Sequence, residues 1–378
     1  WQTTGDNEPN EWNSYQSNSF PGKTYDQLGR FFTHGPFFQN HVTAEGRSGL
    51  TNFLVSGSHL SQDGIIRFMP AFNRTNFRVN LDQAVRRNLK IHASTFYSRS
   101  SQPFQGNWLY WVTDAVSQLA NTPPNVNLLA PDPDNPDYFL ATVSRDGQMN
   151  PLNRLKVTHD ERRRSRFLGS ATVQYSPREW LNVEGNLSFD RAELEEDQLV
   201  PKGYEDFFAP WMALGYLLKR KGTTEALNGS VTASARWNPT PWMRNTTQAR
   251  YLLESTDDRW NWTDGTEFAV EGVPGFSNVN QENIFAESGL DRIRSDAYFV
   301  ITNFDILDRY VVDALIRNDG SSLFGADERR QWYYRLGTAW RVSQEDFFNL
   351  PFVDELKLRY SVGTAGGRPR FNAQYETF

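Results

Sequence analysis

The sequence predicts an all-β protein, an antiparallel sheet of the transmembrane-barrel kind, and three observations carry the prediction. Several segments alternate apolar and polar residues with a period of two, the mark of a strand with two unlike faces. The connections between them alternate along the chain between tight turns and long loops. The composition is polar, with 38% hydrophobic residues and a mean hydropathy of −0.64, yet 14% of the residues are aromatic. No window approaches the roughly 18 apolar residues of a membrane-spanning helix. A transmembrane barrel escapes that test, because each strand carries only about 10 alternating residues.

The clearest strand is LNVEGNLSF. Leu181, Val183, Gly185, Leu187 and Phe189 share one face, and Asn182, Glu184, Asn186 and Ser188 the other. In ELKLRYSV, Leu356, Leu358, Tyr360 and Val362 oppose Lys357, Arg359 and Ser361. In FLGSATVQY, Phe167, Ala171, Val173 and Tyr175 oppose Ser170, Thr172 and Gln174. Segments 91–99, 245–253 and 308–317 behave similarly, less cleanly.

The tight turns share a theme. YSPREWLN (175–182) and WNPTPWMRN (237–245) both read aromatic, small polar, Pro, two residues, Trp, then Leu or Met. Proline sets φ for a turn and cannot donate to a ladder, so each Trp falls at a strand end. LDQAVRRNLK (81–90) turns without the Pro. The long connections are expected at 100–164, 190–228 and 255–295. If neighbours pair antiparallel, all the long loops lie on one rim, as in outer-membrane barrels. A soluble β-sandwich also alternates, but seldom carries three such loops on one rim. Within the first loop, Trp108, Trp111, Val112, Ala115, Val116 and Leu119 have helical spacing, so a short amphipathic helix is expected there. It is too short to span a bilayer, and its polar face has no Lys or Arg for a membrane surface.

The 12 Trp, 15 Tyr and 27 Phe either fill a core or mark an interface. With no cysteine, disulfides, thiolate metal sites and cysteine nucleophiles are excluded. A net charge of −6 gives no reason to expect nucleic acid. The chain opens WQTTGDNEPN, without Met or a signal pattern, and reads as cut from something longer.

Candidate chemistry is sparse. His34, His41, His59, His92 and His159 show no metal-binding spacing. PDPDNPDY gathers Asp132, Asp134 and Asp137, oxygen ligands of the kind calcium takes, although its prolines also suit a rigid polar loop. ELEEDQ (193–198) reads as a solvated acidic loop, and DERRRSR (160–166) as a solvated basic run at the start of a strand. Nothing selects a catalytic pair from 45 carboxylates, so no enzyme is expected. Trp260 and Trp262, expected on the third long loop, either stack on a ligand or pack loop on loop.

One combination is more specific. RNDGSSLFG, then GTAWRVSQEDFF, then ELKLRYSVGTAGGRP resembles the SusC/RagA family of TonB-dependent outer-membrane transporters. The matching positions are Arg317, Asp319, Gly320, Ser321, Ser322, Phe324 and Gly325, followed by Trp340 and Arg341. Ala339 replaces the usual Gly before the Trp. Residues 51–98 and the NPLNRL element (150–155) look like other parts of the same family, and the likeness is weakest over 200–300. What this implies is part of one large barrel of twenty-two strands, lacking here the N-terminal plug and the last strands. It also implies import of oligosaccharide, or of peptide in some members, with no cofactor. The implied partners are outer-membrane lipid, a SusD-like surface lipoprotein acting as a lid, and the TonB–ExbB–ExbD system acting through the plug. A dimer of transporter–lid pairs is usual in the family. Trp108, Trp111, Trp260 and Trp262 are the expected substrate or lid contacts, and the signature residues are expected to be structural. The alternative is a passive porin or surface glycan-binding adhesin without energised transport.

Overall fold

Among the described residues, twelve strands form one antiparallel sheet in strict sequence order, β1 to β12. They are β1 (Phe37–Ser48), β2 (Thr51–Gln62), β3 (Phe72–Arg86), β4 (Leu89–Pro103), β5 (His159–Arg178), β6 (Leu181–Val200), β7 (Tyr216–Thr240), β8 (Met243–Thr266), β9 (Ile284–Ile306), β10 (Tyr310–Ser321), β11 (Arg330–Arg341) and β12 (Lys357–Gly363). The structure, a computed structural model, describes residues 23–103, 115–143, 149–206, 209–325 and 328–369. No described helix is long and apolar enough to cross a membrane, a test that leaves β-barrels untouched.

The register sorts side chains into two faces. Cross-strand rows such as Tyr97–Phe167, Phe189–Leu227 and Val300–Ile316 run around one face. Many of these side chains stand exposed, among them Phe77, Val173, Leu187, Val231 and Leu336. So large a continuous apolar surface is a face for lipid. The opposite face is held by polar rungs. Ser98 donates to Asn76 at 2.8 Å, Ser94 to Asn80 at 2.8 Å, and Thr172 to Asn186 at 2.7 Å. Gln174 donates to Glu184 at 3.0 Å. These groups suit a water-filled lumen.

Tight turns at 49–50, 87–88, 179–180, 241–242 and 307–309 join the strands at one rim. Trp180, Trp237, Trp242 and Tyr310 stand exposed around it, an aromatic girdle at the level of a membrane interface. About ten residues further along each strand a second aromatic row closes the apolar band, as a bilayer requires. It includes Tyr97, Phe167, Phe189 and the Tyr251–Tyr298 pair, whose ring centroids lie 4.7 Å apart.

Beyond that row β5 to β9 do not stop. They continue as a paired wall, and this corrects the expected loops. The connections at 190–228 and 255–295 shrink to 201–215 and 267–283, and the first runs from 104 to 158. ELEEDQ is therefore strand, not solvated loop, and Trp260 and Trp262 lie on β8. Outside the bilayer neither face has to be apolar, so the period-two signal fades although the ladder persists. β1 was not foreseen, because Phe37 and Phe38 are adjacent and break its alternation.

The loop at 104–158 builds its own core. A short helix before β1, α1 (Gln27–Phe31), packs Phe31 with Leu119, Leu128 and Leu152. Leu119 belongs to α2 (Ala115–Asn121), the described part of the foreseen helix, and Leu152 to α3 (Pro151–Val157). Asn150 caps α3 by accepting from Leu152 N at 3.0 Å, with Pro151 in the first turn.

The two faces carry a direct test. Ala171→Arg places a charge on the lipid face near mid-band, where the cost is about 2–4 kcal/mol. Thr172→Arg, one residue on, faces the lumen and should lose only the hydrogen bond to Asn186, about 1 kcal/mol. Urea unfolding of the full-length protein in bilayers measures both, and equal losses would refute the assignment of faces.

Candidate functional site

The inner face of the protruding wall gathers the charged and aromatic groups that the sequence had scattered. The basic run on β5 faces the acidic run on β6. On the inner side Arg162 lies opposite Glu196, which lies opposite Arg220, which lies opposite Trp262. Arg162 donates to Glu196 Oε1 at 2.6 Å, and Arg220 to Glu196 Oε2 at 3.2 Å. The Arg220 guanidinium sits 4.5 Å from the centre of the Trp262 ring. Glu196 is only 2% exposed, so these two partners replace the water its carboxylate gives up. On the outer side of the same strands Arg163 pairs with Asp197, Lys221 with Glu195 at 2.9 Å, and Arg191 with Glu225 at 3.0 Å. The runs expected to be solvated thus tie three strands together.

Trp260 and Trp262 differ in their surroundings. Trp262 packs against the cluster of Val200, Tyr204, Ala209, Met212, Tyr216 and Leu218. Trp260 is 40% exposed and stands in the row Gly222–Trp260–Gly289. Its indole lies over Gly289, where an added Cβ would come within 2.5 Å of the ring nitrogen. An added Cβ at Gly222 would meet nothing within 4 Å. The ring is therefore a flat platform with open space beside it, facing the vestibule. One row towards the lumen, Thr224 donates to Asp258 at 2.8 Å.

Asp160, at the foot of the loop core, lines a cleft of about 240 Å³ with Arg154, Lys156 and His159. Burial pushes its carboxyl up to about 6, against the pull of Arg154 and a hydrogen bond from Gln198. On β8, outside the lipid band, Asp257 is held down at about 2. The hydrogen bond from Arg294 is the main cause, with Arg292 adding to it.

The other candidates fall elsewhere. Asp132 Oδ1 accepts from the Asp134 and Asn135 amides at 2.8 and 3.3 Å, and Asn135 accepts from the Asp137 amide at 3.3 Å. The Asp132 carboxylate and the Asn135 side-chain amide thus shape a turn. Among the described residues no group of three metal-binding side chains forms. Trp108 and Trp111 lie outside the described residues.

The signature residues hold the wall's two rims. Asp319 and Gly320 are still in β10, paired with Gln331 and Arg330, so the break comes after Ser321. Gly320 is needed for space. Its added Cβ would meet Asp296 Oδ1 at 2.6 Å, beside the Asp296–Arg330 pair. Ser322 clips the turn to β9, accepting from Arg294 N at 3.0 Å and donating its own amide to Arg294 O at 2.8 Å. Arg317 pairs with Asp319 on the inner face. Leu323 is buried, Phe324 partly so, and Gly325 is exposed. At the opposite rim Trp340 stacks on Tyr310, with centroids 6.4 Å apart, and both donate to Glu345, at 2.8 and 2.5 Å. Arg309 also donates to Glu345, at 2.9 Å, while Arg341 donates to Asp308 O at 2.9 Å.

The Arg162–Glu196–Arg220 ladder was missed, although a signal was present. Folding the chain back at the Trp180 turn sets RRR opposite ELEED. Two outcomes check this region. Glu196→Gln leaves two guanidiniums under-partnered and should cost about 3 kcal/mol, the low end for breaking a buried pair. Faster amide exchange across 190–222 is the readout, and unchanged exchange would refute the ladder's role. The folded Asp160 binds its proton more tightly than the ordinary value near 3.9, so the stability it contributes is present at low pH. It is lost as pH rises through about 6. Amide protection of residues 151–160 should fall between pH 4 and 7 in the wild type and stay flat in Asp160→Asn.

No family model matches the chain. A curated TonB-dependent receptor of Formosa agariphila is 24% identical over 363 residues, which is 95% of this chain and 35% of the relative. The TonB-dependent receptor SusC of Bacteroides thetaiotaomicron is 23% identical over 239 residues, 61% of this chain and 22% of the relative. The chain thus spans about a third or less of the length of these relatives. Among solved structures, the RagAB peptide transporter superposes with a TM-score of 0.69 at 17% identity, over 92% of this chain and 39% of that one. Twelve consecutive strands in barrel order, lipid and lumen faces, and an alignment running nearly end to end point the same way: the chain is similar to TonB-dependent receptors, SusC among them, and has the barrel fold of the RagAB transporter.

Proposed function

We propose that the chain forms part of the barrel wall of an importer that takes up oligosaccharides through the outer membrane. The observation that carries the substrate class is Trp260. A planar ring, supported on Gly289 and open to the vestibule, offers its face to the apolar side of a sugar. Thr224 and Asp258 beside it supply hydroxyl and carboxylate partners for sugar hydroxyls. A specific observation favours a second reading, import of peptides, because a solved structure that superposes at a TM-score of 0.69 is a peptide transporter.

In this reading the rest of a twenty-two-stranded barrel continues from β1 and β12, whose outer edges lipid cannot satisfy. A plug domain fills the lumen and takes energy from the TonB–ExbB–ExbD system, and a SusD-like lipoprotein closes over the external rim. Trp108, Trp111 and Trp260 are contacts for substrate or lid. No covalent chemistry is involved. Binding energy is spent on capture, and plug movement releases the cargo. The transporter–lid pairs assemble as dimers.

The test uses the full-length transporter with its lipoprotein. Calorimetric titration with a panel of oligosaccharides and peptides should find an oligosaccharide ligand. Trp260→Ala should weaken it about tenfold, the loss of roughly 1.4 kcal/mol of ring contact. Trp260→Phe should restore part of that. Uptake of the same sugar should vanish without TonB. A peptide ligand indifferent to Trp260 would decide for the second reading, and uptake that persists without TonB would decide for a passive barrel.

A further inference from the structure

A groove of about 450 Å³ lies where β8, β9 and β10 leave the lipid band, lined in part by Tyr251, Arg294, Gly320, Arg329 and Arg330. We propose that it binds the phosphorylated headgroup of an outer-leaflet glycolipid.

The register fixes where the groove opens. Tyr298, Asp296 and Arg294 alternate down the lipid side of β9, and Tyr251 and Ser255 lie opposite them on β8. Arg330 shares the lipid side of β11 with Trp332 and Tyr334. The Tyr251–Tyr298 pair marks the top of the apolar band, so the next residues up stand at headgroup level. The groove is therefore continuous with lipid below it and does not open into the lumen.

Its depth comes from small residues. Gly320 has no side chain where one would strike Asp296, and Ser255 and Ser322 flank it. Its charge is cationic at the surface. Arg294 and Arg330 are half-exposed, whereas the carboxylates they hold are recessed. Asp257 keeps only 9% of its side chain exposed and Asp296 28%. The other acid in the lining, Glu254, is paired with Arg368 at 2.6 Å. Three guanidiniums thus stand above two tyrosines. Arginine forks match phosphate oxygens, and such basic clefts at the membrane surface suit anionic lipid headgroups. Acyl chains of the same molecule would run down the apolar rows through Val300 and Ile316. That continuity selects a lipid over a free phosphate as the occupant.

The proposal rests on the barrel assignment and on no particular cargo. The test places the full-length transporter in phosphatidylcholine nanodiscs containing bisphosphorylated lipid A or its dephosphorylated form. Native mass spectrometry then counts the lipid retained. The wild type should hold the phosphorylated form and release the other. R294Q/R329Q/R330Q should retain about tenfold less, and Arg163→Gln, elsewhere on the same outer face, should retain as much as the wild type. Equal retention of both lipids by the wild type would overturn the proposal without any variant having to fold. Undiminished retention by the triple variant, or displacement of the lipid by millimolar inorganic phosphate, would overturn it as well.

Discussion

The constraint beneath this structure is that lipid offers no hydrogen-bond partners. Every amide and carbonyl inside the bilayer must be satisfied by another strand. Nearest-neighbour antiparallel pairing achieves this with the shortest connections, and it gives the uninterrupted order from β1 to β12. The two faces follow from the same constraint. Once the backbone is paired, side chains alternate between lipid and water, and only apolar groups belong on the lipid side. The polar rungs of Asn, Ser, Thr and Gln on the other side stiffen the wall without burying charge.

Above the bilayer the constraint is relaxed, and a different interaction takes over. Water can satisfy a frayed edge there, so nothing obliges the strands to stay paired. Cross-strand ion pairs on both faces of β5 to β9 keep them together. Most are exposed, where such pairs contribute little singly. Their contribution comes from sharing. Glu196 serves two arginines and bridges β5, β6 and β7, and Asp257 serves three, one on its own strand and two on β9. The recessed acids also set the outward character of the wall, because guanidiniums are what water and lipid headgroups meet.

The lipid-spanning part was legible in the sequence and the protruding part was not, for one reason. Period-two hydropathy reports a difference between two environments. In LNVEGNLSF the environments are lipid and lumen, and the faces separate cleanly. In RAELEEDQLV, the continuation of the same strand, neither side faces lipid and charge appears at both parities. The run then reads as an acidic loop. What remained readable there was complementarity about a turn, since the basic block before Trp180 and the acidic block after it lie at matching distances. The site was legible in part. Trp260 and Trp262 stood out, but spacing alone could not show that one leans on a glycine while the other fills a core. The RNDGSSLFG run reads as a family marker from sequence alone, while the need for Gly320 depends on Asp296 from another strand.

The continuity of β6 to β9 through both regions has a consequence for how such a chain can change length. Along β8 no register shift separates the row at Asn245 from the vestibule row at Gly265. Inserting one residue anywhere between them would turn every later side chain to the opposite face. Trp260 would leave the vestibule for the outside, and the ion pairs would lose their partners. Variation in length within the wall is therefore restricted to steps of two or to a bulge that absorbs the odd residue. The connections at 201–215 and 267–283 are free of that parity rule, so diversification in length belongs to the rim, and within the wall to substitution.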